Sequence, residues 1–244
     1  MPLSFPAARS ASKTKLITRC AAAALLAGAS TFACAQAAGS NVITSGWLHF
    51  EPRTSSDPFV MTSPVNQVLP GTGAKVHNTN TVSLAYERYV TDNWGIKFAG
   101  GWPLANKIEG TDTLAGFGEL GQADQYSPTL LAVYHFGEAK STLRPYFGLG
   151  FNRTWFRNAK ITNAAFSAAV FGPGASTNVS IEPTWNPVAN AGVNYRFNDT
   201  WSLGFSLTYL PLKAKATVSS STVTVQDNLK SQGIASDLFV GYSF

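Results

Sequence analysis

The sequence is poor in the residues from which many active sites are built. Its 244 residues include only 2 cysteines, 3 histidines and 2 methionines, and only 13% of them are charged. Both cysteines, Cys20 and Cys34, lie in the first 35 residues. If that segment is removed, neither a disulfide scaffold nor a thiolate metal centre can form in the remainder. Long apolar runs are also missing: the stretch from Cys20 to Ala29 is far shorter than the roughly 20 residues a spanning helix needs. A membrane protein of this composition has to cross with strands. No Gly-x-Ser-x-Gly elbow, His-Glu-x-x-His run or phosphate loop occurs. His49, His77 and His135 are the available imidazole bases, and nothing beside them in sequence suggests catalysis. We expect no enzyme activity, no cofactor and no metal.

The amino terminus is distinctive. Arg9, Lys13, Lys15 and Arg19 precede the apolar run, and Ala33-Cys34-Ala35 offers small residues for cleavage. This pattern is that of a secretory signal, with residues 1–35 removed and residues 36–244 forming the mature chain. Lipidation at Cys34 would need a better approach than Thr31-Phe32-Ala33 supplies. Loss of those four basic residues lowers the formal charge from +5 to about +1. The remainder has no basic stripe to neutralise phosphates, so nucleic acid is not an expected partner.

Beyond residue 35 the hydrophobic pattern alternates with a period of two, as a strand with one face in lipid and one in a lumen requires. Val82, Leu84, Tyr86 and Val90 share one face; Thr91-Asp92-Asn93 turns the chain; Ile96, Phe98, Gly100 and Trp102 follow. A second hairpin sets Leu130, Ala132, Tyr134 and Phe136 before the turn at residues 137–140, and Phe147, Leu149 and Phe151 after it. A third has Val193, Tyr195 and Phe197, then the turn Asn198-Asp199-Thr200, then Leu203, Phe205, Leu207 and Tyr209. Its other face, with Asn190, Asn194, Ser202, Ser206 and Thr208, implies a polar interior. A first strand over 41–50 and a last over 236–244 bring the count to eight, an even number that can close.

Long polar segments at 51–79, 103–127, 157–183 and 212–235 alternate with the short turns. The expected fold is therefore all-β: an eight-stranded antiparallel transmembrane barrel with short periplasmic turns, long extracellular loops and both termini in the periplasm. Trp94, Trp102, Tyr134, Tyr195 and Trp201 suit interfacial girdles. A soluble barrel could use the same alternation for a core, but it leaves the terminal strand unexplained. That strand places Val240, Tyr242 and Phe244 on one face and stops on an aromatic, resembling the signal read by the outer-membrane assembly machinery.

Several stretches together resemble the OmpW/AlkL family of Gram-negative outer-membrane proteins. They are Thr91-Asp92-Asn93-Trp94-Gly95-Ile96 with Trp102-Pro103, Ser127-Pro128-Thr129-Leu130 with Tyr134-His135-Phe136-Gly137, and Arg144-Pro145-Tyr146-Phe147-Gly148-Leu149-Gly150-Phe151-Asn152. Gly192-Val193-Asn194-Tyr195 and the closing Gly241-Tyr242-Ser243-Phe244 extend the likeness over most of the mature chain. The third long loop departs from it, because residues 164–171 are unusually apolar. The resemblance implies a narrow, partly apolar lumen for passive passage of small hydrophobic molecules, with lateral release into the bilayer.

On this alternation, Leu131, Val133, Leu210 and Phe239 face inward among Ala99, Gly148, Gly150, Ser206 and Thr208, and these are the expected lining. They could equally just fill the interior, since eight strands leave little more room than side chains occupy. Pro52, Pro103 and Pro145 lack the amide a ladder needs and could interrupt the wall, although a strand end explains a proline as well. Trp155 and Trp185 could gate a path or sit in the belts. Expected partners are outer-membrane lipids and lipopolysaccharide, periplasmic chaperones, the assembly machinery and small apolar solutes, with the barrel monomeric. A different reading remains open, in which the barrel only anchors loops that act in surface attachment or as a receptor.

Overall fold

The computed structural model describes residues 36–244. The segment 1–35, read above as a signal peptide, lies outside the described residues. Fourteen strands are formed, and they run as follows. The first five are β1 (Asn41–Ser56), β2 (Val60–Ser63), β3 (Gln67–Val68), β4 (Thr72–Val76) and β5 (Thr79–Tyr89). Then come β6 (Trp94–Gly101), β7 (Leu104–Asp112), β8 (Glu119–Tyr126), β9 (Thr129–His135) and β10 (Leu143–Ile161). A helix α1 (Ala164–Phe171) precedes β11 (Asn178–Ile181), β12 (Thr184–Arg196), β13 (Trp201–Ser219) and β14 (Thr224–Ser243).

Eight of these strands close a ring, in the order β1, β5, β6, β9, β10, β12, β13, β14 and back to β1, every pair antiparallel. Closure removes the free edges that an open sheet would expose. The alternation fixes which face of each strand meets lipid: Leu84, Phe98, Leu149, Phe205 and Leu238 all point outward and stay exposed, Leu149 at 57%. A band of large apolar side chains this exposed is unstable against water and is at home in acyl chains. Trp94 against Tyr134 and Trp201 against Tyr242 pair edge to face near the short turns, where an interfacial girdle belongs.

The four long segments are present, and much of their length is further strand. The hairpin β13–β14 keeps its ladder from Trp201↔Tyr242 to Ser219↔Thr224, well past the apolar band. Beside it β4, β7 and β8 pair with one another and with the upper part of β10. The apolar third loop is explained by α1. Asn163 caps it by accepting from the Phe166 amide at 2.9 Å, and Phe166 and Phe171 are buried at the outer end. Burial of each ring is worth roughly 1.5–3 kcal/mol. Two apolar clusters result: an outer one around Phe59, Leu114, Leu120, Phe166 and Phe171, and an inner one around Phe50, Leu104, Leu131, Val188 and Leu210.

Candidate functional site

The interior is closed at its periplasmic end. Tyr146 fills the space that Gly192 leaves free, since a Cβ there would stand 2.6 Å from the Tyr146 hydroxyl oxygen. Phe239 does the same over Gly204, at 2.3 Å from its Cζ. Between the two rings lies the Lys97 ammonium, 5.1 Å from the centre of one and 5.2 Å from the other. Below this layer Glu87 accepts a 2.6 Å bond from His135 Nε2, and both are buried. Arg144 is buried beside them, donates to the Gln36 carbonyl at 2.8 Å and to the Asp92 carbonyl, and lies 5.7 Å from the Tyr89 ring centre. Buried polar groups persist where they find partners, and these contacts draw together three strands, β5, β9 and β10.

Above the floor three cavities follow one another toward the outside. The innermost, about 110 Å³, is bordered by Phe50, Leu104, Leu131 and Leu210 and by the polar side chains of Lys97, Asn190, Ser206 and Asp237. A middle cavity of about 40 Å³ shares Phe50 with it. An outer one of about 90 Å³ shares Ile108, Ile181 and Leu229 with the middle one and is bounded by Phe59, Phe166 and Asp227. Phe50 is thus the waist between the membrane-level cavity and the two above.

The wall is interrupted at the level of the innermost cavity. The β6–β9 ladder ends at Ala99↔Thr129, and the β7–β8 ladder begins only at Leu104↔Gln125. Between them Pro103 and Pro128 have no amide to give, and Trp102 turns its amide back to the Val82 carbonyl at 3.0 Å. Ala99, Gly100 and Leu104 on one side of the gap, and Ser127 and Thr129 on the other, border the inner cavity. Outside, an apolar groove of about 550 Å³ runs over Val82, Leu84, Phe98 and Trp102 and also reaches Gly100. A Cβ at Gly100 would meet nothing within 4 Å.

Of the residues expected to line the lumen, Ala99, Leu131, Ser206, Thr208 and Leu210 border the inner cavity. Val133 and Phe239 are packed into or beside the floor, at 0% and 3% exposure. Gly148 faces Val133 Cγ2, whereas Gly150 serves strand approach: a Cβ there would stand 1.9 Å from the Leu130 carbonyl oxygen. Among the prolines, Pro103 lies at the gap and Pro52 at the height where β1 loses β5, just beyond Phe50↔Thr79. Pro145 is a correction. It occupies a strand end on the β9 side, where pairing starts one residue later, and the β10–β12 ladder runs straight through it, so it opens nothing. Trp185 points outward beside Arg153, and Trp155 stacks on Tyr126, so neither stands in the interior path. Val240 and Tyr242 share the outward face of β14, and Phe244 follows exposed just past its end. Phe50, Lys97, Tyr146 and Asn190 were not among the expected lining residues, although the inward parity of Lys97 and Asn190 is legible in the sequence.

A sequence model of the OmpW family matches residues 37–244. Outer membrane protein W of Vibrio cholerae serotype O1 is 29% identical over 202 residues, covering 82% of this chain and 86% of its own. The protein of the same name from Escherichia coli K12 is 26% identical over 172 residues, 70% of this chain and 76% of its own. Among solved structures, the barrel is similar to OprG of Pseudomonas aeruginosa, with a TM-score of 0.75 at 23% identity over 86% of this chain and 99% of that one. It also resembles AlkL in lipid bilayers, with a TM-score of 0.63 at 18% identity over 100% and 97% of the two chains. The chain belongs to the OmpW family of outer-membrane β-barrel proteins.

Proposed function

We propose that this barrel takes small apolar solutes in from the outside and releases them sideways into the outer membrane. The observation that carries this reading is the stretch of wall where 100–103 and 126–128 do not pair with each other, beside a cavity whose floor is sealed. A solute in the interior has no way down past Tyr146, Phe239 and Lys97, and a short way out past Gly100. Each Å² of apolar surface removed from water contributes about 25 cal/mol, both in the cavities and again in lipid. Solute passage here is diffusive and needs no catalytic group. Export of a chain beginning at Gln36, recognition of Val240, Tyr242 and Phe244 during assembly, and a monomer seated among lipopolysaccharide belong to the same reading.

Cysteines placed at Gly100 and Ser127 flank the gap in a chain that has no other cysteine after residue 35. Joining them with a short bis-maleimide should abolish the acceleration of apolar-solute entry into proteoliposomes, while the singly labelled barrels keep it. Equal entry with the gap bridged or free would rule the wall opening out.

A further inference from the structure

The base of the inner cavity has polar chemistry that passage of a purely apolar solute does not use. Asn190 is 4% exposed and borders the cavity, and its amide is held by donating to Thr208 Oγ1 at 2.8 Å and to the Leu207 carbonyl at 3.2 Å. Those two bonds fix the orientation and leave Oδ1 without a hydrogen-bond partner. A buried acceptor without a partner is uncommon and asks for a donor. Lys97, 7% exposed, stands at the same cavity with no carboxylate within 4.0 Å among the described residues. Asp237 completes the set. It accepts from the Ser83 hydroxyl at 2.8 Å and brings negative charge to the same wall.

These groups discriminate among head groups. An ammonium could donate to Asn190 Oδ1, but the attraction of Asp237 is set against repulsion by Lys97, which leaves its desolvation unrepaid in a low-dielectric cavity. A carboxylate is drawn to Lys97 but repelled by Asp237, and because it can only accept it leaves Oδ1 unpaired. A hydroxyl donates to Oδ1 and carries no charge. The upper part of the cavity, with Phe50, Leu131 and Leu210, suits an alkyl chain.

We propose that the inner cavity is a head-group site for apolar chains ending in a neutral hydroxyl, with Asn190 Oδ1 as acceptor and Lys97 and Asp237 excluding charged ends. This rests on the conduit reading above and names the solute class that the conduit favours. Binding can be followed by NMR on the full barrel in lipid nanodiscs. The Leu131 and Leu210 methyl groups report occupancy of the cavity, and the Asn190 side-chain amide reports the head group. The probes are 1-hexanol, n-hexane, hexanoate and hexylammonium.

1-Hexanol should saturate both signals and bind about tenfold more tightly than n-hexane, the difference one hydrogen bond makes. Asn190→Leu should erase that preference. Lys97→Met should admit hexylammonium, an independent reading if the first variant does not assemble. Equal binding of 1-hexanol and n-hexane by the native barrel, or tighter binding of hexanoate, overturns the head-group site and leaves the conduit standing. Silence of the Leu131 and Leu210 methyl groups toward every probe overturns both.

Discussion

The Phe50 ring occupies the space that a side chain at position 233 would need: a Cβ on Gly233 would stand 2.6 Å from Phe50 Cε2 and 2.7 Å from Cζ. The two residues are on neighbouring strands, where Pro52 is the register partner of Gly233. A glycine on β14 therefore lets a ring from β1 close the waist between the middle and inner cavities.

Phe50→Ala should join those cavities and speed entry of an apolar solute into proteoliposomes. Because the ring already borders two voids, its loss should cost roughly 3 kcal/mol or less, the low end for a buried phenylalanine. A urea titration in lipid gives the cost, and an unchanged entry rate would show that the waist is not limiting.

Glu87→Ala removes the partner of a fully buried His135 and leaves a gap beside Arg144. Breaking a buried pair by removing one member costs on the order of 3 kcal/mol. The floor should also loosen, so conductance in planar bilayers should rise from near silence to small open events. A variant as stable and as silent as the native barrel would mean that the floor is held by Tyr146 and Phe239 alone.

Above the apolar band, burial pushes the Asp227 carboxyl up to about 6, and the neighbouring Asp57 adds to the effect. Ser56 opposes it by donating a 3.0 Å bond, while Lys230 is engaged by Asp57 at 3.1 Å. Folding favours the protonated form, so the destabilising contribution is full above about pH 6, fades as pH falls, and is gone below the ordinary value of 3.8. Protection of amides in the outer part of β14, measured relative to the intrinsic exchange rate at each pH, should rise between pH 7 and pH 5. Asp227→Asn should be more stable than the native barrel at pH 7 and should flatten that dependence.

Asn163→Ala deletes the cap of α1 and should cost about 1 kcal/mol. Since α1 covers the outer cavity with Phe166, the first effect should be local. Limited proteolysis should cut near residues 164–171 sooner, with the membrane part of the barrel unchanged. Cleavage at the native rate would show that the buried rings hold the helix without its cap.

The ring of eight strands was legible because lipid imposes a sharp contrast on the outer face, as along Leu203, Phe205, Leu207 and Tyr209. The strand extensions were not, and β13 shows why. Its side chains keep their alternation past Pro211, but Leu212 and Ala214 now face inward while Lys213 points out. The apolar residues change sides without any slip in register, because the medium outside changes from lipid to water. A reading that follows one apolar face therefore ends its strand at the membrane surface. The floor was hidden for another reason: Lys97, Tyr146 and Phe239 meet only when the ring closes, and each alone is an ordinary strand residue. Inward parity puts Leu131 and Leu210, which border the cavity, on the same face as the packed Val133 and cannot tell them apart.

The sealed floor changes what drives a solute that leaves through the wall. On the proposed path a solute would enter such an interior from the outer end and leave it into acyl chains, with no exit toward the periplasm. A molecule crossing it exchanges solvents before it changes compartments, so its direction is set by partition between water and membrane. Flux of this kind should follow the fluidity and composition of the surrounding leaflet, carry no current, and leave the ionic barrier of the outer membrane intact.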